Sequence, residues 1–234
     1  MGESLASFLS GPHARSRALI AEETRLTSSL PINLPLLGGI RAGALLLLVG
    51  GFEHFVNQAL REWAAPLEQT HLKQPMAALP EAASRQALRL AAVYLQRLTD
   101  DKSEPQASLA KAKKTATLLG NGNLVAAAFG LERPNPNPVN LSNAFKALGV
   151  NDVLRQRLIR QSFETAYGTV VTPSFLWDKL NEIVRKRHIA AHTGTDAGTT
   201  GVDLAAYADF LVALSRVLDE ALDKASKQLV AYCT

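Results

Sequence analysis

The chain has 234 residues, enough to bury a substantial core without disulfides or metals. Apolar residues make up 47% and charged residues 20%, a balance that excludes a disordered chain, and the net charge of +4 permits an anionic partner without requiring one. The single cysteine, Cys233, excludes an internal disulfide and a cysteine-rich zinc site.

Two features of the sequence bear on where the protein works. The N-terminus has no basic segment followed by an apolar stretch and a small-residue cleavage site, so we expect no signal peptide and a cytoplasmic location. The most apolar run, residues 42–51, is bracketed by Arg41 and Glu53 and is too short to span a bilayer. We therefore expect no membrane association and interpret the run as the start of a buried helix.

The chain is predicted to be all-α, because alanine and leucine are abundant, aromatic residues are only 6%, and no strand pattern stands out. Apolar periodicity, capping residues, proline and glycine predict helices, in chain order, over residues 15–29, 41–63, 80–100, 102–119, 142–148, 151–166, 173–192 and 203–231. Residues 120–140, with their Pro/Asn-rich run, are predicted to be an irregular loop, and residues 194–201 a flexible one. We expect one domain, with an N-terminal helix and linker over 1–40 and a helical core over 41–234.

Two predicted helices carry features that can be checked by packing. In the helix over 41–63, Gly50 and Gly51 lower helix propensity, which indicates a close contact with another helix. In the helix over 80–100, an apolar stripe is predicted to face the core; its members are Leu88, Ala91, Ala92, Leu95 and Leu98.

Basic and imidazole side chains gather at the end of the helix predicted over 173–192. Arg187 and His192 are candidates for cutting a phosphodiester, because a guanidinium binds a phosphate and an imidazole moves protons near neutral pH. His188 lies one helical turn before His192 and could fix its tautomer or carry a second proton. Arg185 shares a helix face with His192 more closely than Arg187 does, because residues seven apart align on a helix.

Each of these residues also has an ordinary interpretation. Cations at a helix C-terminus offset the helix dipole, which would account for the arginines and for His192 without any catalysis. Two histidines four residues apart can bind zinc, but Ile189 occupies the position where zinc hydrolases of this pattern have glutamate. We therefore predict no metal site and no cofactor.

Further residues are candidates for supporting the site. Glu53, an acid in an apolar helix, is a candidate partner for Arg187 or Arg185. Lys186, Arg155 and Arg160 could contact an RNA backbone, although a solvated helix face is the default interpretation of such residues.

The order of residues at the site resembles the R-x(4–6)-H motif of HEPN domains. Arg187 is followed by a polar residue, a short apolar stretch, His192 and small residues. The apolar segment 45–56 with Glu53 is similar to the early HEPN helix that carries an acid, and segments 121–150 and 176–194 resemble the RiboL-PSP-like branch. Two departures are His188, where asparagine is most common, and Thr193-Gly194, where some HEPN toxins have a tyrosine nearby.

The resemblance implies a fold and a function. The fold would be a HEPN-like antiparallel helical bundle with additional helices. The function would be metal-independent cleavage of RNA by 2′-hydroxyl attack, by a homodimer whose two motif helices form one cleft, in a defence or toxin–antitoxin system with a cognate antitoxin or defence partner. The alternative is a non-catalytic HEPN-like module that binds RNA, a nucleotide or a protein, and a purely structural helical adaptor is a third.

Overall fold

The computed structural model describes residues 2–28, 33–68, 75–100, 105–131 and 135–233. In these ranges the regular structure is α-helix with short 3₁₀ and π turns, and there is no β-strand, which confirms the all-α prediction. The α-helices in chain order are α1 Glu3–Phe8, α2 Ala14–Thr27, α3 Leu34–Glu68, α4 Glu81–Asp100, α5 Pro105–Gly120, α6 Pro138–Lys146, α7 Arg157–Tyr167, α8 Phe175–Thr193 and α9 Gly201–Cys233.

The core is built around α3, which packs against α1, α2, α8 and α9. Its Leu45, Leu48, Phe52 and Leu60 are completely buried. Burying one such side chain contributes about 1.5–3 kcal/mol, so this helix supplies much of the stability of the bundle. Helix α8, which carries the candidate site, thereby packs against a helix with a completely buried apolar face.

The apolar content of α3 also bears on the membrane question. Length and composition alone would allow this helix of 35 residues to cross a membrane. Leu45, Leu48 and Phe52 are completely buried, whereas Leu34, Leu36 and Leu47 are exposed. Packing in the core therefore accounts for part of its hydrophobicity.

Both ends of α3 lie beyond the range predicted for it. Pro35 lies in the first turn, where proline is tolerated because its missing N–H would have no helical partner. Pro66 lies inside the helix near Glu68, so the described helix extends past the predicted end at residue 63. The linker predicted before residue 41 is thus largely helix, apart from residues 29–32, which lie outside the described part of the chain.

Gly51 confirms the predicted close contact, and Gly50 does not share in it. A π turn at Leu9–His13 joins α1 to α2 and places Pro12 against α3. A Cβ added to Gly51 would lie 2.2 Å from Pro12 Cβ, whereas one added to Gly50 would meet nothing within 4 Å. Only Gly51 therefore allows the N-terminal segment to approach α3.

The predicted stripe of α4 is wrong. Leu88 and Leu95 are 60% and 50% exposed, while Ala83 and Ala87 are completely buried. Helix α4 packs chiefly on α5, and its small alanines rather than its leucines form the buried face. Leu98, the last residue of the predicted stripe, lies outside the described side chains.

The irregular loop predicted over 120–140 is shorter than expected. A 3₁₀ turn occupies Ala126–Ala128, and residues 132–134 lie outside the described part. Helix α6 begins at Pro138 because Asn137 caps it, accepting a hydrogen bond from Asn140 N at 2.8 Å. Residues counted as loop thus form the first turn of a helix.

Several other boundaries shift by a few residues. Helix α7 begins at Arg157, since residues 151–155 form turns in which Asp152 has a φ of 48°. Helix α8 begins at Phe175, and Ser174 rather than Thr172 precedes its first residue. Helix α9 starts two residues earlier than predicted, at Gly201.

Candidate functional site

The candidate site occupies the C-terminal half of α8. Leu176, Leu180, Ile183 and Ala190 form its buried face, a spacing that holds the helix against α3. The helix ends at Gly194, which has a φ of +67° and donates its N–H to Ala190 O at 2.9 Å. The motif residues are thus in the last two turns of a well-anchored helix.

His188 and His192 lie side by side on the exposed surface of α8. Their ring centroids are 4.3 Å apart and the ring planes make an angle of 65°. Both side chains are exposed, as is Arg185, which lies on the same face of the helix. The three residues present two imidazoles and a guanidinium to solvent within two helical turns.

Arg187 points elsewhere. It is half-buried, and its Nε is buried without a hydrogen-bond partner among the described residues. Since residues advance about 100° around a helix, Arg187 lies about 140° away from His192 on α8. One chain therefore places the two motif residues on different faces of the same helix.

Glu53 on α3 is the electrostatic neighbour of Arg187. Burial raises the pKa of the Glu53 carboxyl, and the positive charge of Arg187 partly opposes this rise. The charge of Arg187 thus acts on Glu53, and a direct pairing of Glu53 with Arg187 or Arg185 stays a prediction.

Lys186 and Arg185 border the first turn of α9. Lys186 Nζ donates to Ala197 O at 2.6 Å, so this lysine anchors the loop that follows the motif. Tyr207 donates its hydroxyl to Glu182 Oε1 at 2.5 Å, and burial together with this hydrogen bond raises the tyrosine pKa. Arg185 opposes that rise through its charge, which places it near Tyr207.

The loop after the motif, predicted to be flexible, is held by a buried ion-pair network. Arg41 Nε donates to Glu23 Oε1 at 2.7 Å, and Arg41 NH1 donates to Asp196 Oδ2 at 3.3 Å. The Glu23 side chain is only 5% exposed. Asp196 also accepts a hydrogen bond from Gly198 N at 3.0 Å. This network fixes the segment that leaves the motif helix, and no local pattern in the sequence points to it.

The other two arginines proposed as RNA contacts have intramolecular partners. Arg155 is exposed and lies over the Trp177 ring, with its Cζ 4.6 Å from the centroid. Arg160 pairs with Glu164 at 3.6 Å on α7. Both arginines lie on or beside α7 and would have to exchange these contacts to bind RNA.

The histidines and acids of the site do not form a metal centre within the described residues. Groups of three or more His, Cys, Asp or Glu side chains with metal-binding geometry are absent from the described part of the chain.

A family model connects this geometry to known proteins. The model of the RiboL-PSP-HEPN family matches residues 20–224. The chain belongs to the RiboL-PSP-HEPN family. The match extends from α2 into α9 and so includes Glu53, the Arg187–His192 motif and the anchored loop around Asp196. Curated proteins and solved structures give no match to this HEPN protein.

The family match leaves α1 and the π turn outside it. Residues 2–19 are nevertheless part of the same core, because Leu5 and Phe8 are buried against α3. In this HEPN protein the N-terminal segment therefore packs on the helix that carries Glu53.

Proposed function

We propose that this HEPN protein is an endoribonuclease that cleaves RNA by attack of the 2′-hydroxyl on the adjacent phosphate. The observation that carries the proposal is the exposed pair His188 and His192, beside a half-buried Arg187, in a family motif. Exposed imidazoles are accessible to a strand of RNA. The Arg187 guanidinium, whose Nε has no hydrogen-bond partner among the described residues, has hydrogen-bonding capacity left for a phosphate.

The proposed reaction is a proton transfer coupled to an in-line displacement. An imidazole takes the proton of the 2′-hydroxyl, the 2′-oxygen bonds to phosphorus, and the bond to the 5′-oxygen breaks. A protonated imidazole gives that leaving oxygen a proton, and Arg187 stabilises the charge on the non-bridging oxygens. The products are a 2′,3′-cyclic phosphate, or the 3′-phosphate formed when it is hydrolysed, and a 5′-hydroxyl. The steps so written use no metal ion.

A homodimer would bring an arginine and a histidine of the motif together that a single chain keeps apart. Arg187 and His192 lie on different faces of α8, so a second copy is proposed to bring its own motif helix against the first. Each cleft would then combine residues from two chains. Sedimentation equilibrium measures the mass: a dimer is expected, and a monomer that cleaves RNA would contradict the composite site.

The decisive experiment is RNA cleavage in EDTA by the wild type, His192→Ala and His54→Ala, purified identically. His54 is an exposed histidine on α3 and serves as the matched control. We expect cyclic-phosphate ends from the wild type and His54→Ala and no cleavage by His192→Ala. Equal cleavage by all three proteins would reveal a contaminant or another site.

The second candidate function is a binding module without catalysis. It is favoured by two features of the motif: His188 replaces the usual asparagine, and Thr193-Gly194 follows where some relatives have a tyrosine. Absence of cleavage together with salt-sensitive RNA binding would establish this function instead.

The proposed setting is cytoplasmic defence or toxin–antitoxin control, with an antitoxin or defence protein as partner. Its test is the growth of a bacterial host that expresses the protein. Wild type is expected to arrest growth and His192→Ala to leave it unaffected. Equal growth of the two strains would count against a toxin.

A further inference from the structure

A cavity of about 570 Å³ lies between α3, α4 and the segment 126–131. Its volume is in the range of pockets that hold one small organic ligand. Polar side chains from α3 and α4 line it, namely Asn57, Arg61, Gln86 and Arg89, and Leu90 and Phe129 contribute apolar surface. The cavity therefore combines cationic, amide and apolar surfaces within one ligand's reach.

The cations of the cavity indicate an anionic ligand. Arg61 from α3 and Arg89 from α4 line the same space, and Arg61 is exposed. Guanidinium groups bind phosphates through paired hydrogen bonds and also stack on planar rings. A ligand with both a phosphate and a flat heterocycle would use the arginines and the apolar wall together.

Gln86 adds an unused hydrogen-bond acceptor. Its Oε1 is buried and accepts no hydrogen bond from the described residues. A buried polar atom without a partner costs free energy, and an incoming donor would remove that cost. The exocyclic amino group of a nucleobase is a donor of this kind.

The cavity is connected to the motif through α3. Asn57, which lines the cavity, accepts a hydrogen bond from Leu131 N at 2.8 Å and donates one to Glu53 O at 3.0 Å. Glu53 in turn is the electrostatic neighbour of Arg187. Arg61 lies eight residues after Glu53, about 12 Å along the helix axis.

We propose that this cavity is a subsite for one nucleotide of the RNA strand that the motif helix cleaves. Arg61 and Arg89 would bind its phosphate, and Gln86 would accept a hydrogen bond from its base. The subsite rests on the proposed ribonuclease function and would give the enzyme a base preference near the cut. A free mononucleotide offers the same chemistry, and the contact path to Glu53 favours the RNA strand as its source.

The test compares two charge reversals of the same kind in a binding assay. The probe is a fluorescent 2′-O-methyl RNA decamer, which lacks the attacking hydroxyl and so reports binding alone. Arg61→Glu is expected to weaken its affinity by about tenfold. Arg85→Glu, at an exposed position of α4 paired with Glu81, is expected to change it by less than about threefold. Equal losses would overturn the subsite.

Base recognition is tested separately with Gln86→Leu, which keeps the side-chain volume but removes the acceptor. Decamers of adenosine and of uridine differ in the exocyclic amino group. Wild type is expected to prefer the adenosine decamer through both base stacking and the amino group, and Gln86→Leu to reduce that preference at least about threefold, which is the part that depends on the acceptor. An unchanged preference would overturn the role of Gln86, and unchanged melting temperatures would show that the variants fold.

Two further outcomes separate this proposal from the ribonuclease function. If wild type cleaves RNA but Arg61→Glu and Arg85→Glu bind equally, only the subsite fails. If wild type cleaves nothing while Arg61→Glu alone loses affinity, only the nuclease function fails. Calorimetry with AMP distinguishes a free mononucleotide from an RNA strand as the ligand. If Arg61→Glu weakens the binding of AMP but leaves the binding of the decamer unchanged, the RNA subsite is overturned.

Discussion

The ring centroids of His188 and His192 lie 4.3 Å apart, and the two ring planes make an angle of 65°. This contact gives His192 a neighbour on its own helix, one turn earlier, at an otherwise exposed surface. An imidazole that must accept a proton in a defined direction benefits from such a support, because small errors in position cost large factors in rate. His188 is therefore interpreted as a positioning residue for His192.

The role of His188 can be tested by two substitutions of different chemistry. His188→Ala removes the ring and is expected to reduce RNA cleavage about tenfold. His188→Asn restores the residue most common in the family and is expected to stay within about threefold of wild type, since its amide can still hydrogen-bond. Single-turnover cleavage rates measure both. An inactive His188→Asn would indicate that His188 itself carries a proton.

Glu53 makes a prediction about pH and stability. Burial raises its pKa above the value in the unfolded chain, so the folded state favours the protonated carboxyl. Its contribution to stability is therefore fully present below the unfolded pKa and is lost as the pH rises through the folded one. Glu53→Gln cannot titrate, so wild type is expected to lose stability relative to this variant as the pH rises from the ordinary carboxyl pKa of about 4 upward.

Urea denaturation of both proteins across that pH range measures the difference. Glu220→Gln, at an exposed position of α9, controls for the loss of one negative charge. A stability difference between wild type and Glu53→Gln that is constant with pH would contradict the raised pKa. Cleavage by Glu53→Gln is expected to fall as well, because Arg187 loses its neighbouring carboxylate.

The sequence predicted the helices better than it predicted their contacts. Capping and proline signals predict the start of α8 to within two residues, because they act on the local backbone. Apolar periodicity misplaced the buried face of α4, where Ala83 and Ala87 are buried and Leu88 is exposed. Periodicity shows that a stripe exists, and the neighbouring helix decides which stripe is covered.

The parts of the site that depend on distant residues could not be predicted. Arg41 joins Glu23, 18 residues earlier, to Asp196, 155 residues later. No local spacing relates three residues so far apart. Glu53 was identifiable only because an acid stood in an apolar helix and the family resemblance gave it a partner.

The Arg41 network is expected to contribute strongly to stability. Glu23 is almost fully buried, so Arg41→Ala would leave an uncompensated charge inside the protein and cost about 3 kcal/mol. Arg25→Ala removes an exposed ion pair with Glu22 and is expected to cost far less, because solvent screens both charges. Chemical denaturation compares the two, and similar losses would show that burial of Glu23 does not matter.

The pair Gly50 and Gly51 provides the sharpest test of the packing on α3. Both are interior residues of the helix, so alanine would gain about 1 kcal/mol of helix propensity at either position. At Gly50 no described atom lies within 4 Å of the new methyl group, and Gly50→Ala is expected to stabilise the protein by about that amount.

At Gly51 the methyl group would lie 2.2 Å from Pro12 Cβ. A proline ring cannot rotate away, so overpacking should outweigh the propensity and make Gly51→Ala destabilising by about 2 kcal/mol. Thermal and urea unfolding of the two variants measure the difference, and stabilisation by both would show that the N-terminal π turn does not pack against α3.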